Sequence, residues 1–207
     1  MGLVDHRDLI LAHVLPTVLE SVTGFVLGNI AAIILAIALI HHEASRAIVL
    51  FLSLIIRSVP IIALTPLLTL WLGLYMAAKI AAVTLLTFFP TLIVSVQGLM
   101  AADAQVLDLM TVLNARRWQT LLWIRMPGSL PYVFSGLRIS APTAVAGALV
   151  GEWLGAREGL GHLMAAATFE FRIPLLWATI VVSSGLGVLA YGCVVLAQRW
   201  IVPWSRE

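Results

Sequence analysis

Apolar residues fall along this chain in five long blocks, roughly 15–40, 47–72, 80–100, 131–151 and 174–197, with short polar interruptions between them. About 20 apolar residues suffice for a helix to cross a bilayer. The pattern therefore predicts an all-α protein with one transmembrane domain over 15–201, a short amphipathic lead-in at 1–14 and a polar tail at 202–207. The stretch 103–126 is different, because its apolar residues are periodic rather than continuous. Val106, Leu109, Met110 and Leu113 stand at i, i+3, i+4 and i+7, one stripe on a short helix. Asp103 is placed to cap its start. Asn114 follows its last periodic residue and, after glycine, is the type that best tolerates a left-handed C′ position. A second helical stretch runs from Ala115 to Met126 with Trp118, Leu121 and Leu122 on one side, and Pro127 and Pro131 are expected to end it.

Several blocks carry interruptions. The first has Glu20 near its start and Gly24 and Gly28 in the spacing that permits close helix contact. The second is broken by Arg57-Ser58-Val59-Pro60 and by Pro66, features tolerated in lipid only where charge and backbone face protein or a water-filled cavity. Trp71 and Tyr75 fit an interfacial aromatic belt, Lys79 precedes the third block and Pro90 breaks it. The fourth is dominated by Ala, Gly, Ser and Thr around Pro142, with Gly147 and Gly151 four apart, which predicts the innermost helix. Counting from Pro131, Glu152 lies about 31 Å along that helix and is expected to emerge at the far interface. There it opens a glycine-rich loop to Gly161, followed by a short amphipathic piece over 162–171.

Composition supports lipid as the solvent, with 61% hydrophobic and 11% charged residues and a mean hydropathy of +1.06. The net charge of +2 comes from scattered cations, which report topology rather than nucleic-acid binding. Arg46, Arg116, Arg117, Arg125, Arg199 and Arg206 collect on one side, against Arg7, Lys79, Arg157 and Arg172 on the other. That bias places the 103–126 loop and the C-terminus in the cytoplasm and the N-terminus outside. The single Cys193 permits no internal disulfide, and the adjacent His41-His42 pair lacks a third ligand, so no metal is expected. The N-terminus lacks the pattern of a cleaved signal.

The spacing in the polar stretch resembles the coupling-helix signature of ABC importer permeases, Glu-Ala-Ala, three residues, Gly, nine residues, Ile-x-Leu-Pro. Here it stands as Asp108-Leu109-Met110, Asn114 and Ile124-Arg125-Met126-Pro127, with every interval kept. Asp keeps the charge and Asn the turn, while the two alanines have become large apolar residues. Further stretches resemble the nitrate/sulfonate/taurine/bicarbonate branch of these permeases: Arg57-Ser58-Val59-Pro60, Trp71-Leu72-Gly73-Leu74 with Lys79, Leu130-Pro131-Tyr132 with Gly136-Leu137-Arg138-Ile139, and Glu152-Trp153-Leu154-Gly155-Ala156 with Gly159-Leu160-Gly161. An additional N-terminal span usual in that branch has no counterpart here.

The resemblance implies a five-transmembrane-helix type I ABC importer permease core (MetI-like) in a bacterial inner membrane. It implies a homodimer or paired permease, two ATP-binding cassette subunits, and an extracytoplasmic solute-binding protein that delivers a small, anionic solute. ATP and magnesium would be bound by the partner ATPase, since the chain has no Gly-x4-Gly-Lys-Ser/Thr loop and so is not expected to be an enzyme. Contact with that ATPase is expected from Val106, Asp108, Leu109, Met110, Leu113, Asn114, Ala115, Arg116 and Trp118. Arg57, Ser58, Pro60, Arg138, Pro142 and Thr143 are candidates for the pathway or gate. Two of these have a second explanation: Arg57 pairs with a carbonyl at the proline break, or Arg138, seven residues beyond Pro131, snorkels toward the cytoplasm. Glu152, Gly155, Gly159 and Gly161 are candidates for the loop that faces the binding protein. A quaternary-amine or methionine importer permease fits the Glu152–Gly161 loop less well. A stand-alone secondary transporter would need internal repeats that are not visible, and an intramembrane enzyme would need a base beside Ser183-Ser184.

Overall fold

A computed structural model describes residues 7–40, 43–73 and 76–204, except the side chains of Glu43, Ala44 and Arg57. The His41-His42 pair, Tyr75 and Arg206 lie outside the described residues, as does the Arg57 side chain. All regular structure described is helical. In chain order the elements are α1 (Arg7–Leu39), α2 (Glu43–Arg57), α3 (Ile61–Leu72), α4 (Met76–Met100), α5 (Ala104–Val112), α6 (Arg117–Thr120), a π-helical turn (Leu121–Arg125), α7 (Met126–Trp153), α8 (Leu160–Phe169) and α9 (Ile173–Ile201).

Four helical runs are long and apolar enough to span a membrane: α1, α4, the continuous run Arg117–Trp153, and α9. The second apolar block is not one straight span. It forms α2 and α3, bent by 96° across Ser58-Val59-Pro60, and counts as a fifth crossing only if the pair is one broken span. The break has a local cause. Pro60 has no N–H and disfavours helical backbone at Val59, while the Ser58 hydroxyl donates to Leu54 O at 2.9 Å.

The other prolines do not break their helices. Pro16, Pro66, Pro90, Pro131 and Pro142 all lie inside helices, where packing neighbours make the lost hydrogen bond tolerable. The expected lead-in at 1–14 is likewise corrected: from Arg7 onward its residues are the first turns of α1. The amphipathic piece expected at 162–171 is the mostly buried helix α8.

The interior is built from α1, α4 and α7. Thr17, Glu20, Ser21, Gly24, Gly28, Asn29, Ala32 and Ala36 of α1 are buried, whereas Leu15, Leu19, Val22, Ile30 and Ile34 are exposed. Small and polar residues thus face protein and branched apolar ones face outward, as suits a helix whose outer solvent is lipid. Gly24 seats on Val83, and a Cβ at Gly28 would collide with the Thr87 hydroxyl. On the other face of α4, Gly136 approaches Thr91 and Gly147 approaches Leu86. Half of the most apolar window of Arg117–Trp153 is buried, against 44% in α4, 33% in α1 and 6% in α9, which makes it the innermost helix. Replacing Gly28 by Val is expected to force α1 from α4 at a cost of about 1–3 kcal/mol. A lower melting temperature of the purified protein in detergent is the measurement.

Candidate functional site

The polar stretch folds as a capped helix, a sharp turn and a second helix. The Asp103 carboxylate accepts from Gln105 N–H at 2.8 Å and caps α5. At the other end the backbone makes a complete Schellman turn: Ala115 N–H donates to Met110 O at 2.9 Å and Asn114 N–H to Thr111 O at 3.0 Å. Asn114 carries the left-handed φ of 53° that this turn demands. The Gln119 side chain then accepts from Arg116 N–H at 2.7 Å and fixes the start of α6.

Of the apolar stripe, Leu109 and Leu113 are 55% and 66% exposed, and Trp118 is 51% exposed beyond the turn. Val106 and Ala115 are half-buried, and Asp108 and Arg116 are exposed. Met110 departs from expectation because it is buried within the chain. Val112, 82% exposed, completes the outward face in its place. That face is Leu109, Val112 and Leu113, at i, i+3 and i+4.

Pro127 does not end a helix here. α6 leads into the π turn and then directly into α7, where Pro127 occupies the first turn. Met126 N–H donates five residues back to Leu121 O, so the ladder changes register immediately before the residue that cannot donate. Arg125, the variable position of the Ile-x-Leu-Pro pattern, donates from Nη1 to Leu99 O at 2.9 Å.

The pathway candidates lie on two elements. Ser58 and Pro60 lie exposed at the bend between α2 and α3. Arg138, Pro142 and Thr143 are on α7, and no hydrogen bond among the described residues links the two groups. Arg138 lies 21 residues along the continuous run that begins at Arg117. Neighbouring Gly136 lies against Thr91 of α4, nine residues or about 14 Å from the α4 terminus. The buried Arg138 Nε has no hydrogen-bond partner among the described residues. Pro142 borders a cleft of about 540 Å³ with Val145, Leu149, Ser183, Gly187 and Tyr191. Among the described residues Thr143 bonds only its own helix, donating to Ile139 O at 2.8 Å. Beside Arg138, Ser140 and Thr91 both donate to Asn29 Oδ1, at 3.0 and 2.5 Å, a buried polar junction of the three inner helices.

The opposite end of α7 holds a second constellation. Glu152 was expected in an outward-facing loop but is fully buried. One carboxylate oxygen accepts from the Thr17 hydroxyl at 2.6 Å and the other from Gly161 N–H at 2.7 Å. Thr17 in turn accepts from Leu160 N–H at 2.9 Å, and His13 Nδ1 accepts from Gly159 N–H at 2.9 Å. The first amides of α8, unpaired within their own helix, are thereby satisfied by α1 and α7. This explains two glycines. A side chain at Gly159, whose φ is +107°, would collide with the Glu152 carboxylate, and one at Gly161 with Leu149 O. Only Gly155 of the four loop candidates is exposed.

Behind Glu152, the fully buried Glu20 forms an ion pair with Lys79. Glu20 and Lys79 were visible as charges inside or beside apolar blocks, which is the signal that marks them. Their pairing across 59 positions was not.

Comparison with known proteins agrees with this architecture. The profile of the family described as "Binding-protein-dependent transport system inner membrane component" matches residues 6–206. The formylaminopyrimidine transport permease ThiX of Halalkalibacterium halodurans is 32% identical over 208 residues, covering 100% of this chain and 83% of its own. A putative aliphatic sulfonates transport permease, SsuC of Bacillus subtilis, is 29% identical over 208 residues, 97% of this chain and 75% of its own. In fold, the chain is similar to an inward-facing structure of the MetNI methionine ABC transporter, with a TM-score of 0.78 at 19% identity over 98% of this chain and 99% of that one. The chain therefore belongs to the family of binding-protein-dependent inner-membrane transport components, as the permease subunit of an ABC importer in which a separate subunit hydrolyses ATP.

Proposed function

We propose that α5 and α6 are the coupling element on which an ATP-binding subunit docks, and that the permease works as a pair with two such subunits and an extracytoplasmic solute-binding protein. The observation that carries this is the Leu109–Val112–Leu113 face with Trp118, apolar and exposed on an element standing clear of the bundle. The run Arg117–Trp153 has 37 residues, about 55 Å, against a hydrocarbon core of about 30 Å. Its first turns therefore project beyond lipid.

In this arrangement Asp108 and Arg116 rim the apolar face, and the Asn114 turn sets the angle between the two helices. α2 and α3 together make the fifth, broken crossing. The coupling turn and C-terminus lie in the cytoplasm of an inner membrane, with the N-terminus outside. ATP binding draws the two ATPase subunits together, and the gripped helix transmits the displacement to α7.

For the solute, we favour a small anion. Arg138 supports it, since a guanidinium whose buried Nε has no hydrogen-bond partner among the described residues offers positive potential to a cavity between paired subunits. Similarity to the sulfonate permease points the same way. An uncharged heteroaromatic is the second reading, favoured by the similarity to ThiX and by the cleft bearing Tyr191 and Ser183.

Affinity purification in mild detergent, with ATPase assay, tests the assembly: recovery of an ATP-binding subunit is expected, and repeated recovery of the chain alone would sink it. Solutes are then compared by their stimulation of ATPase activity through the co-purified binding protein. Taurine or an alkanesulfonate is expected to stimulate, whereas stimulation by an aminopyrimidine alone selects the second reading. With an anionic solute, Arg138→Met should reduce uptake about tenfold, the equivalent of one unpaired charge contact of roughly 1.4 kcal/mol.

A further inference from the structure

We infer that Arg125 is a positioning residue for coupled transport, a strap across the base of the α5–α6 element that makes a push on α5 arrive at α7. The inference rests on the coupling role proposed for that element. Along the chain the element joins the bundle at residues 101–103, which leave α4, and at the π turn, which enters α7. Arg125 ties these two points together through its bond to Leu99 O, closing a loop of 26 residues.

The chemistry suits a strap. Leu99 O is among the last carbonyls of α4, which lack helical partners and carry the negative end of the helix dipole. A guanidinium donates strong, charge-assisted hydrogen bonds to such carbonyls. Leu99 itself is buried in a cluster with Ala36, Leu39, Leu92 and Val96, and Leu121 and Met126, which flank Arg125, pack against that same cluster. The bond is therefore held in place from both sides.

The need for a strap comes from the π turn. Its wider ladder, followed by a proline that cannot donate, makes this the most compliant point between α6 and α7. Force applied at the outward face of α5 has two outlets. It can splay the α4 terminus from the π turn, or it can move α7 as a body. With Arg125 bonded across the base, the first outlet is closed.

The test uses the whole transporter, permease with its ATPase subunits and binding protein, in lipid nanodiscs and in a Cys193→Ser background. Spin labels at Ala101→Cys and Leu122→Cys report the width of the base. Labels at Trp153→Cys on the paired permeases report the far end. ATP with vanadate is the probe, so no solute need be known.

With Arg125 present, the far-end distance shifts on ATP binding while the base holds its width. Arg125→Met is expected to widen the base and leave the far-end shift at less than about a third of its normal value, and Arg125→Lys to recover more than about half, since it keeps one charged donor. A far-end shift of normal size in Arg125→Met overturns the inference. So does loss of ATPase binding in Arg125→Met, which would make the residue part of the docking surface. Should Arg125→Met fail to accumulate in the membrane, Arg125→Lys decides: a partial widening of the base supports the strap, and distances identical to those of the unsubstituted protein overturn it. Failure of the unsubstituted protein to bind an ATPase or to respond to ATP would instead defeat the coupling reading.

Discussion

Asn114→Pro is expected to abolish uptake while leaving the chain inserted in the membrane at normal levels. Proline fixes φ near −65°, whereas the turn holds Asn114 at +53°, so the left-handed position cannot be occupied. The substitution also deletes the N–H that donates to Thr111 O, and the ring disfavours the backbone of Leu113, whose ψ of 4° is far from the extended values a residue before proline prefers. With both Schellman bonds disrupted, α5 and α6 lose their fixed angle and the outward face loses its orientation. Nothing in the membrane-buried interior is touched, which is why insertion should survive. Asn114→Gly is the control: glycine adopts this φ without a Cβ penalty and should retain uptake. Asp108→Lys, at the rim of the same face, should uncouple without altering the turn. Uptake in Asn114→Pro equal to that of Asn114→Gly would mean that the angle of this turn plays no part in transport.

The second large effect is expected from Lys79→Met. Glu20 and Glu152 are both fully buried, and Lys79 is the cation that pairs with Glu20. Removing one member of a buried ion pair costs about 3–5 kcal/mol because the other charge stays behind without a partner. Whole domains are stable by only about 5–15 kcal/mol, so the purified protein should melt far below the unsubstituted one or fail to accumulate. Glu20→Gln combined with Lys79→Met removes the stranded charge and should recover most of the loss. A melting temperature for Lys79→Met within a few degrees of normal would show that the pair contributes little. The double substitution also separates packing from charge, since Met retains most of the Lys79 stem that lies against Gly151.

Long apolar blocks made the spans legible because lipid imposes a composition on any helix exposed to it. Asp103 and Asn114 were legible because a cap and a left-handed turn each select among very few residue types. Prolines were less readable. Pro60 breaks a helix and Pro90 does not, although both stand inside apolar blocks and each denies the ladder one N–H. At Pro127 the chain continues because the ladder changes register upstream, a π turn that has no compositional mark. Periodicity located an apolar helix at 104–112 but not the side it turns outward, since Met110 and Val112 are equally apolar and only tertiary packing distinguishes them. The Glu152 loop illustrates a different limit. Glycines and a carboxylate near a membrane boundary look like a solvent-facing loop, yet here they are shaped by the contact of Glu152 with the first amides of α8.

The glycine and threonine seams between α1, α4 and α7 invert the usual map of mutational tolerance. In a water-soluble protein, apolar enlargement is harmful mainly in the core and polar substitution is harmless on the surface. In this chain, exchanging Leu for Ile or Phe on the outward faces of α1 and α9 changes one hydrocarbon for another against lipid. The same class of exchange at Gly28, Gly147 or Ala82 pushes helices apart, although every hydropathy scale scores it as neutral or favourable. Saturation mutagenesis should therefore find side-chain volume, not polarity, to be the quantity selected along these seams, with the constraint strongest where the residue is smallest.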